Sequence, residues 1–132
     1  MNDKEVKDAI TYWKTVAAHD YDTMTALFKA KRYSDSLFFG HIVIEKLLKG
    51  LIVKNTTEQA PYTHNLMVLE RAAKLESDKD MIEFLNQVND FNIRARYPEH
   101  KLAFYKKCTY QYTKKYYERI KEIYKNLCQK LK

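Results

Sequence analysis

The chain has few of the residues that end helices or form tight turns, with only two glycines and two prolines among 132 residues. Sandwich and barrel folds need a turn every few residues, so this scarcity argues against them and favours long helices. No run of about 18 apolar residues occurs, and we therefore expect no membrane span. The N-terminal residues lack a basic-then-apolar signal pattern, which makes a cytoplasmic location the default expectation.

Cysteine is also scarce, and Cys108 and Cys128 are predicted to lie on one final helix. Twenty residues of helix span roughly 30 Å, which is beyond the reach of a disulfide. No paired Cys/His spacing typical of metal ligands is present, so we predict neither a metal site nor a cofactor. The formal net charge of +7 suits an anionic partner such as RNA, DNA or an acidic protein, or a solvated basic surface.

Apolar residues that recur at spacings of three and four predict the helices. The first helix spans residues 3–18, and Asp20 or Asp22 caps a second, short helix. A central helix follows, with Ser34 as a candidate cap and an apolar arc wide enough to contact several neighbours. Gly40 in its middle is expected to let another helix approach closely.

Three further helices complete the pattern. Thr63 is a candidate cap for one helix, and Ser77 and Asp78 precede the next. After a break, one long helix runs to the end of the chain. We therefore predict a single all-α domain over residues 1–132, an antiparallel up-and-down helical bundle of four to five main helices.

The break, Phe91–His100, concentrates ionisable groups, because two arginines, a glutamate and a histidine surround one of the two prolines. Its Arg96-Tyr97-Pro98 segment and three other elements together resemble the HEPN (higher eukaryotes and prokaryotes nucleotide-binding) family. The other elements are the short capped helix leading into Lys31-Arg32-Tyr33-Ser34-Asp35-Ser36, then Glu45-Lys46-Leu47-Leu48-Lys49 and Thr63-His64-Asn65-Leu66. The resemblance implies a helical bundle that is often a homodimer, and many small members act with a minimal nucleotidyltransferase as toxin and antitoxin.

Many HEPN proteins are metal-independent ribonucleases that use an Arg and a nearby His, completed across a dimer. Arg94 and His100, with five residues between them, match that motif. A histidine supplies a proton acceptor near pH 7, and an arginine supplies a cation for the developing phosphorane charge. The chain departs from the active pattern at Ala95, where a polar residue is common, and at Leu102, where a toxin subgroup has tyrosine. The alternative is a loop arginine and an exposed histidine at a helix start.

Other residues near these motifs have two interpretations each. Arg96 either pairs with a helix acid and fixes the break, or binds a nucleotide or RNA. His41 and Glu45 share a helix face, and Glu45 either forms a local pair there or orients an arginine or His100. His64 either supports a helix start, which we favour, or takes part in catalysis.

The basic, tyrosine-rich C-terminal part offers a second candidate surface. Tyr105, Lys106 and Lys107 are candidate nucleotide or RNA contacts, because aromatic rings stack on bases and lysines hold phosphates. The alternative places the tyrosines in the core and in a dimer or partner interface. The sequence thus favours a dimeric binding module that acts with a nucleotidyltransferase partner. The alternative is a ribonuclease toxin. A third hypothesis, a plain nucleotide or nucleic-acid binder, is supported by the net charge alone.

Overall fold

A computed structural model describes all 132 residues as six helices without strands. Their bounds are α1 Asp3–Lys29, α2 Tyr33–Thr56, α3 Leu66–Ala72, α4 Lys79–Arg96, α5 Pro98–Lys107 and α6 Tyr110–Lys130. Four helices are long and two are short, in agreement with the predicted antiparallel up-and-down bundle of four to five main helices. No helix combines the length and the apolar content needed to cross a membrane.

The central position predicted for α2 is confirmed, since it packs against each of the other five helices. Its buried residues cover a wide arc of the helix, and only a narrow stripe that includes Asp35, Phe39, Ile42 and Lys46 is half-buried. Gly40 is needed for one of these contacts. A methyl group added there would lie 2.6 Å from Cδ1 of Ile120, which is on α6. The prediction that Gly40 lets another helix approach closely is therefore correct.

The predicted break between residues 18 and 23 is wrong, because α1 continues to Lys29. The apolar spacing explains why: Ala17, Tyr21, Met24 and Phe28 extend the stripe of the first turns by steps of four, three and four. Tyr21 stacks on Tyr124 of α6 with ring centroids 3.9 Å apart, and Met24 is fully buried. The polar residues between them face outward and do not interrupt the helix.

The caps differ from prediction at two helices. Asn65, not Thr63, caps α3 by accepting a hydrogen bond from the Met67 backbone N–H, while the Thr63 hydroxyl accepts one from the Asn65 N–H. Ser34 lies inside α2 and is buried, so it is not a cap. Of the two residues expected before the next helix, Asp78 caps α4 by accepting a hydrogen bond from the Met81 N–H.

The long final helix is in fact two helices. Thr109 caps α6 by accepting a hydrogen bond from the Tyr112 N–H, and α5 ends at Lys107. Cys108 therefore lies between helices and Cys128 lies on α6, so the expectation of one shared helix is wrong. Both thiols are free, and burial raises the pKa of Cys108 to about 11.

The predicted break at residues 91–100 is shorter in the structure, where a single residue separates two helices. Helix α4 continues to Arg96, Tyr97 has an extended backbone, and Pro98 begins α5. Proline suits this first helical position, because its missing N–H would have no partner there. Arg94 and Arg96 consequently lie on the last turn of α4, and His100 lies on the first turn of α5.

Candidate functional site

A buried histidine on α2 links three segments of the chain. His41 is fully buried, and its Nε2 lies 2.9 Å from the backbone carbonyl of His64. Because a carbonyl only accepts hydrogen bonds, Nε2 carries the ring proton. Burial lowers the pKa of His41, partly opposed by the charge of Glu45, so the ring is neutral near pH 7 and its Nδ1 is an acceptor.

The same hydrogen-bond chain continues to Arg96. Asn92 on α4 donates from Nδ2 to Nδ1 of His41 across 3.2 Å. Its Oδ1 is then free to accept from Nη1 of Arg96, also across 3.2 Å. The partner expected for Arg96 was a helix acid, and the structure instead provides the amide of Asn92. Arg96 is thus connected through two buried side chains to the loop before α3.

A buried carboxylate lies beside this chain. Glu45 is 3% exposed, and its Oε2 accepts a hydrogen bond from Nζ of Lys49 across 3.0 Å. Its Oε1 lies 3.0 Å from Nδ1 of His64, which must be the donor because a carboxylate only accepts. Nζ of Lys49 also lies 5.5 Å from the ring centroid of Trp13. Glu45 therefore contacts Lys49 and His64 and lies 3.8 Å from Nδ1 of His41, the local pair expected on this helix face. No hydrogen bond or ion pair joins it to Arg94 or His100 within this chain.

Side chains around this network form a polar surface pocket of about 180 Å³, lined by His64, Asn65, Asn89, Asn92 and Ile93. Asn89 supports its wall by accepting the backbone N–H of Leu66 at 2.8 Å and donating to Oδ1 of Asn65 at 3.0 Å. Amide side chains at fixed positions can recognise a ligand by directed hydrogen bonds.

No hydrogen bond or ion pair joins the two residues of the candidate nuclease motif. Arg94 forms an ion pair with Asp90, one turn earlier on α4. His100 is exposed and makes no side-chain hydrogen bond or ion pair with any other residue. Arg94 is therefore engaged on its own helix, while the ring of His100 is exposed and has no partner in the chain.

The candidate binding residues of α5 are exposed. Tyr105 is 44% exposed, with Nζ of Lys101 lying 5.9 Å from its ring centroid. Lys106 and Lys107 are also exposed, and Lys107 lies over the ring of Tyr112. None of these residues contacts the buried network around Glu45. The two candidate regions are therefore separate.

Sequence reasoning missed Lys49, Asn89 and Asn92 and undervalued His64. One signal was present, because His41, Glu45 and Lys49 are polar residues at spacings of four on an otherwise apolar helix. Such a polar row within a buried helix requires partners from other segments. Which segments supply them depends on the packing of the bundle. No group of three or more His, Cys, Asp or Glu side chains is placed to hold a metal ion.

The fold and the network define an all-α bundle with a polar centre on its middle helix. The family model of the HEPN domain matches residues 10–132, and the chain belongs to this family. Neither the curated proteins nor the solved structures include a significant match to the chain.

Proposed function

We propose that residues 1–132 form a single HEPN domain that works as a homodimeric, nucleotide- or nucleic-acid-associated binding module beside a nucleotidyltransferase partner in the cytoplasm. Family membership supports this proposal, because small members with the same motifs commonly dimerise and are paired with such an enzyme. The ion pair of Arg94 with Asp90 favours a binding function over catalysis, since it engages the arginine that the nuclease motif would use as its cation.

The observation that carries the proposal is the exposed surface of α5. Leu102 is 63% exposed, and Tyr97 and Tyr105 are also exposed apolar residues on this segment. Lys101, Lys106 and Lys107 alternate with them on the same short helix. Exposed large apolar side chains are typical of protein interfaces, and lysines beside aromatic rings are typical of RNA-binding surfaces.

Dimerisation is tested by light scattering after size-exclusion chromatography. We expect about twice the chain mass of 15.8 kDa for the wild type, and a monomer for Leu102→Glu. Val68→Glu is the matched control, because Val68 is an exposed apolar residue of α3. It should leave the dimer intact. A monomeric wild type, or equal effects of both substitutions, would contradict the α5 interface.

RNA binding is tested by fluorescence anisotropy with a labelled single strand. Each phosphate contact contributes about 0.7 to the slope of log affinity against log salt concentration. Replacing Lys106 and Lys107 by glutamine should therefore weaken binding and reduce the slope by about 1.4. The control replaces the exposed Lys4 and Lys7 of α1 by glutamine, with the same change in net charge. Equal losses in both variants would mean that RNA binding depends only on net charge.

Co-purification with a minimal nucleotidyltransferase tests the proposed protein partner.

The alternative is a metal-independent ribonuclease toxin that uses Arg94 and His100. The motif spacing and the unpartnered, exposed His100 favour it. This function requires both side chains to face a cleft shared with the second copy of the dimer. It predicts RNA cleavage in the absence of metal that His100→Ala abolishes. Cleavage that is equal in the wild type and the variant would come from a contaminant.

A further inference from the structure

The polar pocket between α4 and the loop before α3 presents hydrogen-bond donors. Oδ1 of Asn65 accepts from the Met67 N–H at 2.9 Å and from Nδ2 of Asn89 at 3.0 Å. Both amide hydrogens of Asn65 and the second one of Asn89 have no acceptor within the protein. Oδ1 of Asn89 is occupied by the Leu66 N–H. The acceptors of this wall are therefore used, while its donors are free.

The third asparagine follows the same rule. One hydrogen of its Nδ2 is donated to His41, and its Oδ1 accepts from Arg96, so Asn92 also retains one free N–H. His64 also lines the pocket, and Glu45 accepts a hydrogen bond from its Nδ1, which leaves Nε2 as the free ring nitrogen on a side chain that is 56% exposed. Three amides whose oxygens are engaged within the fold thus line one pocket, and each keeps at least one free N–H.

The charges around the pocket favour an anion. The carboxylate of Glu45 is paired with Lys49, and that of Asp90 with Arg94. Arg96 has no acidic partner, and its hydrogen bond to Asn92 ties it to a residue that lines the pocket. The local sum of these fixed charges is one unit positive. A ligand with several acceptor oxygens and a negative charge matches both the donors and the charge.

We propose that this pocket binds the phosphate group of a phosphate monoester, with the amides of Asn65, Asn89 and Asn92 and the guanidinium of Arg96 as donors. The pocket volume of about 180 Å³ is below the roughly 300–1,000 Å³ of sites that enclose a small molecule. The phosphate therefore occupies the pocket, and the rest of the ligand lies outside. The site rests on the proposed nucleotide association and gives it a location separate from α5.

Nuclear magnetic resonance of the wild-type protein tests the site without any substitution. Inorganic phosphate and AMP, titrated separately, should shift the side-chain amide signals of Asn65, Asn89 and Asn92. Adenosine should leave them unchanged, because it lacks the phosphate. A response to AMP but not to phosphate would mean that binding depends on the nucleoside as well as on the phosphate group. That result, shifts caused by adenosine alone, or no shifts at these amides would overturn the proposal.

A matched pair of variants measures the contribution of Arg96. Arg96→Gln should weaken phosphate binding by about tenfold, since a charge-assisted hydrogen bond is lost. Lys4→Gln makes the same charge change at an exposed position of α1 and should alter the affinity by less than about twofold, because screened surface charges interact weakly. Equal effects would overturn the role of Arg96. If Arg96→Gln fails to fold, the amide shifts of the wild type decide.

The two proposals fail separately. Loss of dimerisation or of RNA binding by α5, with intact amide shifts on phosphate addition, would remove the proposed function and leave the phosphate site. A dimer that binds RNA through Lys106 and Lys107, with no response of the asparagine amides, would remove the phosphate site alone.

Discussion

Glu45 holds His64 across 3.0 Å, and this bond joins the middle of the buried helix α2 to the exposed loop before α3. The same carboxylate is bonded to Lys49, so Glu45 contacts both a buried ammonium group and the half-exposed ring of His64. The hydrogen bonds around it fix the loop, the end of α4 and the position of Arg96. The polar residues of the family motifs thus form one connected structure.

The pairing of Glu45 with Lys49 leads to a stability prediction. Glu45→Gln leaves Lys49 buried without a counter-charge and should lower the free energy of unfolding by about 3 kcal/mol. Lys49→Met removes the cation and keeps its apolar stem against Trp13. In the double variant no unpaired charge remains, so its loss should be smaller than the sum of the single losses. Urea denaturation of the four proteins measures the coupling, and strict additivity would contradict a direct pair.

Burial of neutral His41 predicts a pH dependence. Its pKa is lowered in the folded protein, so below about pH 6.5 the unfolded chain binds a proton that the native ring does not. The stability is therefore fully present above this pH and is lost as the pH falls, with a slope of at most about 1.4 kcal/mol per pH unit.

His41→Gln removes this titration and keeps a donor for the carbonyl of His64. Glu45 and His64, the charged and titratable groups beside residue 41, are present in both proteins, so their contributions largely cancel in the comparison. The difference in the free energy of unfolding between wild type and variant should shrink as the pH falls from 7.5 to 5.5. Parallel stability curves would show that His41 titrates normally in the folded protein.

The contact of Gly40 with α6 predicts a compensating pair of substitutions. Gly40→Ala gains about 1 kcal/mol of helix propensity, but its methyl group would lie 2.6 Å from Cδ1 of the fully buried Ile120. Overpacking costs about 1–3 kcal/mol, so we expect a net loss. Ile120→Val removes Cδ1, and Gly40→Ala in that background should be neutral or stabilising. Thermal melts of the four proteins test this, and the same loss in both backgrounds would exclude the clash.

Periodicity within one helix was enough to predict the bundle, the central position of α2 and the close approach at Gly40. It failed where polar residues were read as interruptions: His19 and Asp22 are exposed on α1, while Tyr21 between them continues the apolar stripe. The division at Thr109 was missed for the opposite reason, because the apolar stripe suggested continuity and the cap was overlooked.

The candidate site was only partly predictable. The family motifs contain Glu45, His64 and Arg96, yet sequence reasoning gave them separate roles. Their connection depends on His41 and Asn92, which are 51 positions apart in sequence. Such a pair forms only when α2 and α4 pack together, and no local pattern encodes it. The ion pair of Arg94 with Asp90, in contrast, follows from their spacing of four on one helix.

A gel-shift assay in EDTA with an end-labelled single-stranded RNA tests the proposed binding function most directly. The RNA should migrate with the protein and should be recovered from the shifted band at its full length. Metal-independent cleavage of the recovered RNA by the wild type, lost in His100→Ala, would contradict a binding module and establish the nuclease alternative.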